Sequence, residues 1–146
     1  MKVEIKINQN YPEPLVTITT QKVSAEISAL IEQINQSSAT NIIGYTQEAI
    51  KILLPADIFR IYTENGKVFA ETKTARYLLK LRLYEIEQQL AHNAFIRISN
   101  YEIININKVV KFDLSISGTI CVHLSNQKQC YASRRYVTKI KKALRI

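Results

Sequence analysis

The chain reads as an α+β fold that is mainly β with short helices, and three features of the sequence predict it. Short runs rich in isoleucine and valine recur between polar breaks, which suits pleated, half-buried backbone better than helix. Asn65-Gly66 stands between two such runs, the chemistry of a tight hairpin whose central residues both take positive φ. Few stretches carry the i, i+3, i+4, i+7 apolar stripe of an amphipathic helix, and those few are short.

In chain order, Val3, Ile5 and Ile7 alternate with Glu4, Lys6 and Asn8, the period of a strand exposed on one side. Leu15 to Thr19 repeats that pattern after Pro12-Glu13-Pro14. Ser24 then caps a helix whose stripe is Ile27, Leu30, Ile31 and Ile34, and Asn35 to Asn41 ends it as a loop. Ile42 to Tyr45 and Ala49 to Leu54 pair as a hairpin around Thr46 to Glu48. The front of the chain is thus expected to form a β-β-α-β-β extension over residues 1–54. Its carboxylates are scattered and it holds no His, Cys or glycine cradle, so it carries no chemistry of its own.

From residue 55 the pattern turns strongly β. Ile58 to Tyr62 and Val68 to Thr72 flank the Asn-Gly turn, with Lys67 at its tip. Ala75 to Asn93 lacks Pro and Gly and is rich in Leu, Glu and Gln, so propensity alone allows one long helix there. Phe95 to Asn107 packs apolar and polar demands into a short span. Its isoleucines call for burial, while Ser99-Asn100 and Asn105 to Asn107 can bond their own backbone and turn it, which predicts an exposed polar knuckle on short strands. Lys108 to Leu114 and Thr119 to Leu124 are strands joined across Ser115 to Gly118. A loop of Asn126 to Lys128 would then set Leu124 opposite Cys130 and Val122 opposite Ala132, leaving Cys121 on the other face. The two thiols are therefore expected to be unbonded, with Cys130 a small core residue. Ser133 caps a final helix with Val137, Ile140 and Leu144 inward.

Charge separates the two parts. Residues 1–60 carry five Lys or Arg against six acids, a net of −1, whereas the remainder carries fifteen against six, a net of +9. No acid follows Asp113, while Lys128, Arg134, Arg135, Lys139, Lys141, Lys142 and Arg145 all do. A block of one sign points to a polyanionic partner or, equally, to a solvated helix face. Arg134 and Arg135 sit in the first turn of the last helix, where the dipole makes each cost about 0.3–1 kcal/mol. Binding to phosphate or guanine explains keeping them there; salt bridges to Glu85 or Glu102 are the alternative. No apolar run approaches the roughly 18 residues of a spanning helix, so the chain reads as cytoplasmic. Neither of its two cysteines has metal-ligand spacing, His92 and His123 stand apart from any Cys or carboxylate, and the three glycines make no phosphate loop. The expectation is no enzyme, no cofactor, no metal and no small-molecule substrate.

Phe95, Arg97, Ser99-Asn100, Ile103-Ile104-Asn105 and Val109-Val110 fall in order on a pattern of F-x-R, polar pair, apolar pair, Asn and apolar strand. Cys130 to Tyr136, CYASRRY, adds a strand followed by Ser-x-Arg. Tyr77 to Leu79 with Leu83 to Glu87 and Leu90 adds a third block. Together these resemble the LytTR-type DNA-binding domain of bacterial transcription regulators, over residues 55–146. The resemblance implies antiparallel sheets with a terminal amphipathic helix. It breaks the 73–93 stretch into a strand, about Arg76 to Lys80, and a helix from Leu83 to about Ala91.

The resemblance also implies sequence-specific binding to double-stranded DNA, with loops of a β scaffold in adjacent grooves. Asn100 and Arg135 match the family's base-reading positions, and the Asn65 to Lys67 tip matches loosely. Arg134, Lys139 and Lys142 would hold phosphates. Ser99 stands where members commonly carry His, Tyr101 where a small polar residue is usual, and Gln127 where Gly is frequent. The chain is similar to short members without a receiver domain. These imply homodimers on repeated half-sites, with residues 1–54 as the dimer unit, and a membrane-protein inhibitor as a possible partner. Two rival readings are an RNA or single-strand binder using exposed aromatics such as Tyr62, Phe69 and Tyr77, and a basic protein-interaction module.

Overall fold

The computed structural model describes residues 1–12, 14–38, 41–91, 93–115 and 118–146, without the side chains of 35–38. Helix α1 spans Ala25–Ser38, and the hairpin of β1 (Ile42–Tyr45) and β2 (Ile50–Leu53) follows. Strands β3 (Ile58–Glu64), β4 (Lys67–Thr72) and β5 (Arg76–Leu79) lead to helix α2 (Leu83–Gln89). Then come β6 (Phe95–Ser99), β7 (Glu102–Asn105), β8 (Val109–Asp113), β9 (Ile120–Leu124), β10 (Gln129–Ala132) and helix α3 (Arg134–Leu144). This is the α+β architecture expected. The break of the 73–93 stretch into strand and helix is also as expected, and His92 lies outside the described residues.

Seven strands form an antiparallel sheet in the order β2-β1-β5-β4-β3-β7-β6, and β10-β9-β8 form a second. Neighbouring residues of β7 show how the large sheet is used. Ile103 pairs with Ile61 and joins a core with Ala70, Leu79, Leu83, Ile86 and Leu90, so α2 covers that face. Ile104, next in the chain, points the other way into a core with Ile96, Ile98, Val122, Leu124 and Ile140, where the small sheet and α3 pack. Ile140 is fully buried. Truncating it to Ala would cost about 2–5 kcal/mol and loosen the packing of α3 on the sheet.

Three local expectations change. Residues 3–7 and 15–19 form no strand; Val3, Ile5 and Ile7 are 82–95% exposed. Alternation makes a segment able to pair, but without a neighbouring strand nothing offsets the backbone entropy of about 1–2 kcal/mol per residue. The front of the chain is accordingly α-β-β, and its hairpin is built into the large sheet through β1 and β5, Tyr45 opposite Leu78. Helix α1, capped by Ser24 Oγ accepting from the Ile27 amide at 3.3 Å, runs on through residues 35–38 where a loop was expected. The β9–β10 pairing sets Cys130 opposite Val122 and Ala132 opposite Ile120, two residues from the expected register. A slip of two keeps every side chain on its face, so Cys130 and Ala132 still enter the core, and both cysteines are free.

The turn residues explain that slip. The loop is Ser125 to Gln127, closed by the Leu124 amide donating to the Lys128 carbonyl at 2.9 Å, and Gln127 takes the left-handed φ of 69° where glycine is favoured. Asn126 Nδ2 and Lys128 Nζ donate to the buried Glu71 carboxylate at 2.7 and 3.2 Å. Glu71 also accepts from Arg60, which reaches Glu102 as well. A network on the large sheet therefore sets a turn in the small one.

Candidate nucleic-acid interface

Register places two polar features at one end of the large sheet, and hydrogen bonds join a third to them. Tyr62 of β3 pairs with Glu102 of β7, so the β3–β4 tip and the β6–β7 knuckle leave the sheet in the same direction. Beyond that pair the Thr63 amide donates to the Tyr101 carbonyl at 2.9 Å. The tip is the Asn-Gly turn read from the sequence, with φ of 52° at Asn65 and 74° at Gly66. Asn65 and Lys67 are both exposed there.

The knuckle is held from beneath by Arg97, a role that local sequence pattern does not disclose. Its guanidinium donates to the Ser99 carbonyl at 2.8 Å, the Asn100 carbonyl at 2.7 Å and Glu87 Oε2 at 2.7 Å. Ser99 turns back into the loop, its Oγ accepting from the Tyr101 amide at 3.1 Å. Tyr101 itself projects, 68% exposed. Asn105 works from the other end: its Oδ1 accepts from the Asn107 amide and its Nδ2 donates to the Ile58 carbonyl at 2.9 Å.

Helix α3 begins beside this knuckle. The Ser133 amide donates to the Ile98 carbonyl at 2.9 Å, and the Tyr136 hydroxyl donates to Asn100 Oδ1 at 2.9 Å. Lys139 Nζ lies 3.5 Å from Glu87 Oε1, so one carboxylate ties both Arg97 and α3. Asn100 is exposed, and with Oδ1 accepting from Tyr136 its side chain keeps the amide N–H groups as donors. Ser133 occupies the N-cap position, but its hydroxyl makes no cap bond, because the backbone contact to β6 fixes the turn instead.

Arg134, Arg135 and Lys142 are exposed, and none of the three forms an ion pair among the described residues. The alternative of pairing with Glu85 or Glu102 is not realised. Glu85 Oε1 accepts from the Arg82 amide at the start of α2, and Glu102 serves Arg60. Arg134 lies over Gly118, where an added Cβ would meet its Nε at 3.0 Å. Asn100, Ser99, Tyr136 and Lys139 are thus brought together, with Asn65 and Lys67 on the same end of the sheet. Arg134 instead turns to Gly118, Thr138 and Lys141 on another side of α3, Arg135 is exposed in its first turn, and Lys142 lies further along.

Two rival constellations look different in three dimensions than in sequence. Tyr62 and Phe69 are cross-strand neighbours with ring centroids 5.9 Å apart, a pair that the sequence spacing hid. Arg60 and Arg76 lie over these rings at 4.2 and 4.3 Å, and Tyr77 is buried on the opposite face, so no bare stacking platform results. His123, isolated in sequence, is brought to Cys121 Sγ at 3.6 Å and to Asp113 Oδ2 at 3.9 Å. Both approach the same ring atom, Nε2, so no relay from carboxylate through imidazole to thiol exists. The described residues hold no group of His, Cys, Asp and Glu suited to a metal ion, and no helix among them is long and apolar enough to cross a membrane.

Comparison with known proteins bears on the family and the fold. The LytTr DNA-binding domain family matches residues 48–145. A protein of Staphylococcus aureus strain NCTC 8325 named as an HTH-type transcriptional regulator is 35% identical over 147 residues, spanning 100% of this chain and 99% of its own. One of strain MRSA252 with the same kind of name is 34% identical over the same span. The solved LytTr DNA-binding domain of a methyl-accepting/DNA response regulator from Bacillus cereus superposes with a TM-score of 0.70 at 18% identity, over 73% of this chain and 97% of that one. The helix-turn-helix of the relatives' names has no counterpart among the described residues, since five strands separate α2 from α3. Fold, knuckle and the matched span lead to one conclusion: the chain belongs to the LytTr DNA-binding domain family.

Proposed function

We propose that this protein is a transcription regulator that binds double-stranded DNA sequence-specifically, without catalysis or cofactor, in the cytoplasm. The observation that carries the reading is the joining of knuckle and α3: Tyr136 to Asn100, Ser133 to Ile98, and Glu87 to both Arg97 and Lys139. A face held this way is pre-organised, so binding costs little ordering entropy. In this reading Asn100 and Arg135 read bases, Arg134, Lys139 and Lys142 hold phosphates, and Asn65 and Lys67 reach the neighbouring groove. Ser99 acts through the loop's shape, its hydroxyl being engaged internally. The partners are duplex DNA with repeated half-sites, a second copy through residues 1–54, and an inhibitory membrane protein of the kind that accompanies short family members.

A competition mobility shift tests it, using a duplex selected from a random pool against its separate strands. Duplex should win, and Arg135→Glu should abolish the specific shift. If the single strand wins, or Arg135→Glu retains the duplex fully, the reading fails in favour of a single-strand binder or a protein-docking module.

A further inference from the structure

Strand β2 closes one edge of the seven-stranded sheet and has no outer neighbour among the described residues. Thr46 and Ala49 are bonded across the hairpin turn, so the antiparallel alternation directs Lys51 and Leu53 inward to β1. The main-chain groups of Ile50 and Ile52 are then left at the open edge. Their side chains, 71% and 59% exposed, share a face with Ile43, which is 41% exposed opposite Ile52. Such an edge is a template for another strand. The same chain carries one unused: Val3, Ile5 and Ile7 alternate with charges and lie 82–95% exposed.

We propose that residues 3–7 of one copy add to β2 of a second copy, and reciprocally, making a two-fold exchanged dimer. An antiparallel register with Glu4 opposite Lys51 sets Ile5 against Ile50 and Val3 against Ile52. It buries Val3 and Ile5 against Ile52 and Ile50 on one face and pairs Glu4 with Lys51 on the other. The shifted alternative, Lys6 opposite Lys51, sets like charges together. Exchange satisfies both edges with two copies of one interaction and closes the assembly. This deepens the proposed function by naming how two DNA-binding faces are joined, and rests on it only for that purpose.

Sedimentation velocity on the full chain without DNA tests the proposal, together with concentration-dependent amide exchange. The wild type should sediment at about 34 kDa, twice the 16.8 kDa of one chain, with residues 3–7 protected only where dimer is populated. Ile5→Pro and Ile52→Lys should each raise the dimer dissociation constant at least tenfold. Residue 5 is exposed in the single chain, so Ile5→Pro should leave the thermal midpoint of the dilute monomer unchanged. A monomeric wild type, protection of residues 3–7 independent of concentration, or a dimer indifferent to both substitutions would overturn the exchange. Since no DNA is present, any of these results leaves the DNA-binding reading standing.

Discussion

Replacing Glu87 with Gln sets two physical effects against each other. Glu87 is an acid on a face otherwise rich in cations, so its removal should strengthen non-specific attraction to phosphates. Yet its Oε2 accepts from Arg97 at 2.7 Å while Arg97 holds the Ser99 and Asn100 carbonyls. Arg97 is 14% exposed and Glu87 38%, so the pair lies between an exposed bridge, worth up to about 1 kcal/mol, and a charged hydrogen bond, worth about 1.5–3. Arg97 keeps its two carbonyl acceptors in the variant. About 1 kcal/mol of positioning is therefore at stake, roughly fivefold in affinity. The Lys139 contact at 3.5 Å, with Lys139 57% exposed, adds little. Fluorescence anisotropy over a salt series should show specific binding weakened about fivefold and non-specific binding equal or tighter. Specific binding as tight as wild type at every salt concentration would refute the idea that Glu87 organises the knuckle.

Asn100→Ala and Arg135→Ala should each cost about 1–3 kcal/mol of specific binding, measured by mobility shift, with non-specific binding less affected. Lys142→Ala should instead weaken all duplexes alike and reduce the slope of log affinity against log salt by about 1. Gln127→Gly should raise the unfolding free energy by about 1 kcal/mol in a denaturant titration, since it relieves the left-handed φ of 69°. Burial, reinforced by Glu102, pushes the Cys130 thiol up from its ordinary 9.0 to about 12. The folded state thus keeps a proton that the unfolded chain releases, and stability should fall as pH rises above about 9, a slope that Cys130→Ala removes. Iodoacetamide should correspondingly reach Cys130 only on unfolding.

How much of this was legible follows from where each interaction lies. The knuckle was, because its turn chemistry is local: Asn105 caps Asn107, Ser99 accepts from Tyr101, and the isoleucines on either side alternate into two cores. The Asn-Gly tip and the Ile140 face of α3 were legible for the same reason. The β9–β10 register was not, because its turn is anchored to Glu71, which lies 55 residues before Asn126 in sequence. Alternation in residues 3–7 was read as a strand, yet pairing depends on a neighbour that alternation cannot supply. Among site residues, Asn100 and Arg135 stood out by motif. Arg97 and Glu87 fall in the matched blocks as well, but what they do was hidden, since it depends on carbonyls and helices brought near only by folding.

The claim on which the account depends is that knuckle, β3–β4 tip and α3 start form one DNA-binding face. An amide-resolved NMR titration with a selected duplex tests it most directly. Shifts should concentrate at residues 65–67, 99–101 and 133–136, with residues 50–53 at the far edge of the large sheet moving no more than they do with protein concentration alone. Shifts confined to the last turns of α3, or centred on 50–53, would contradict it.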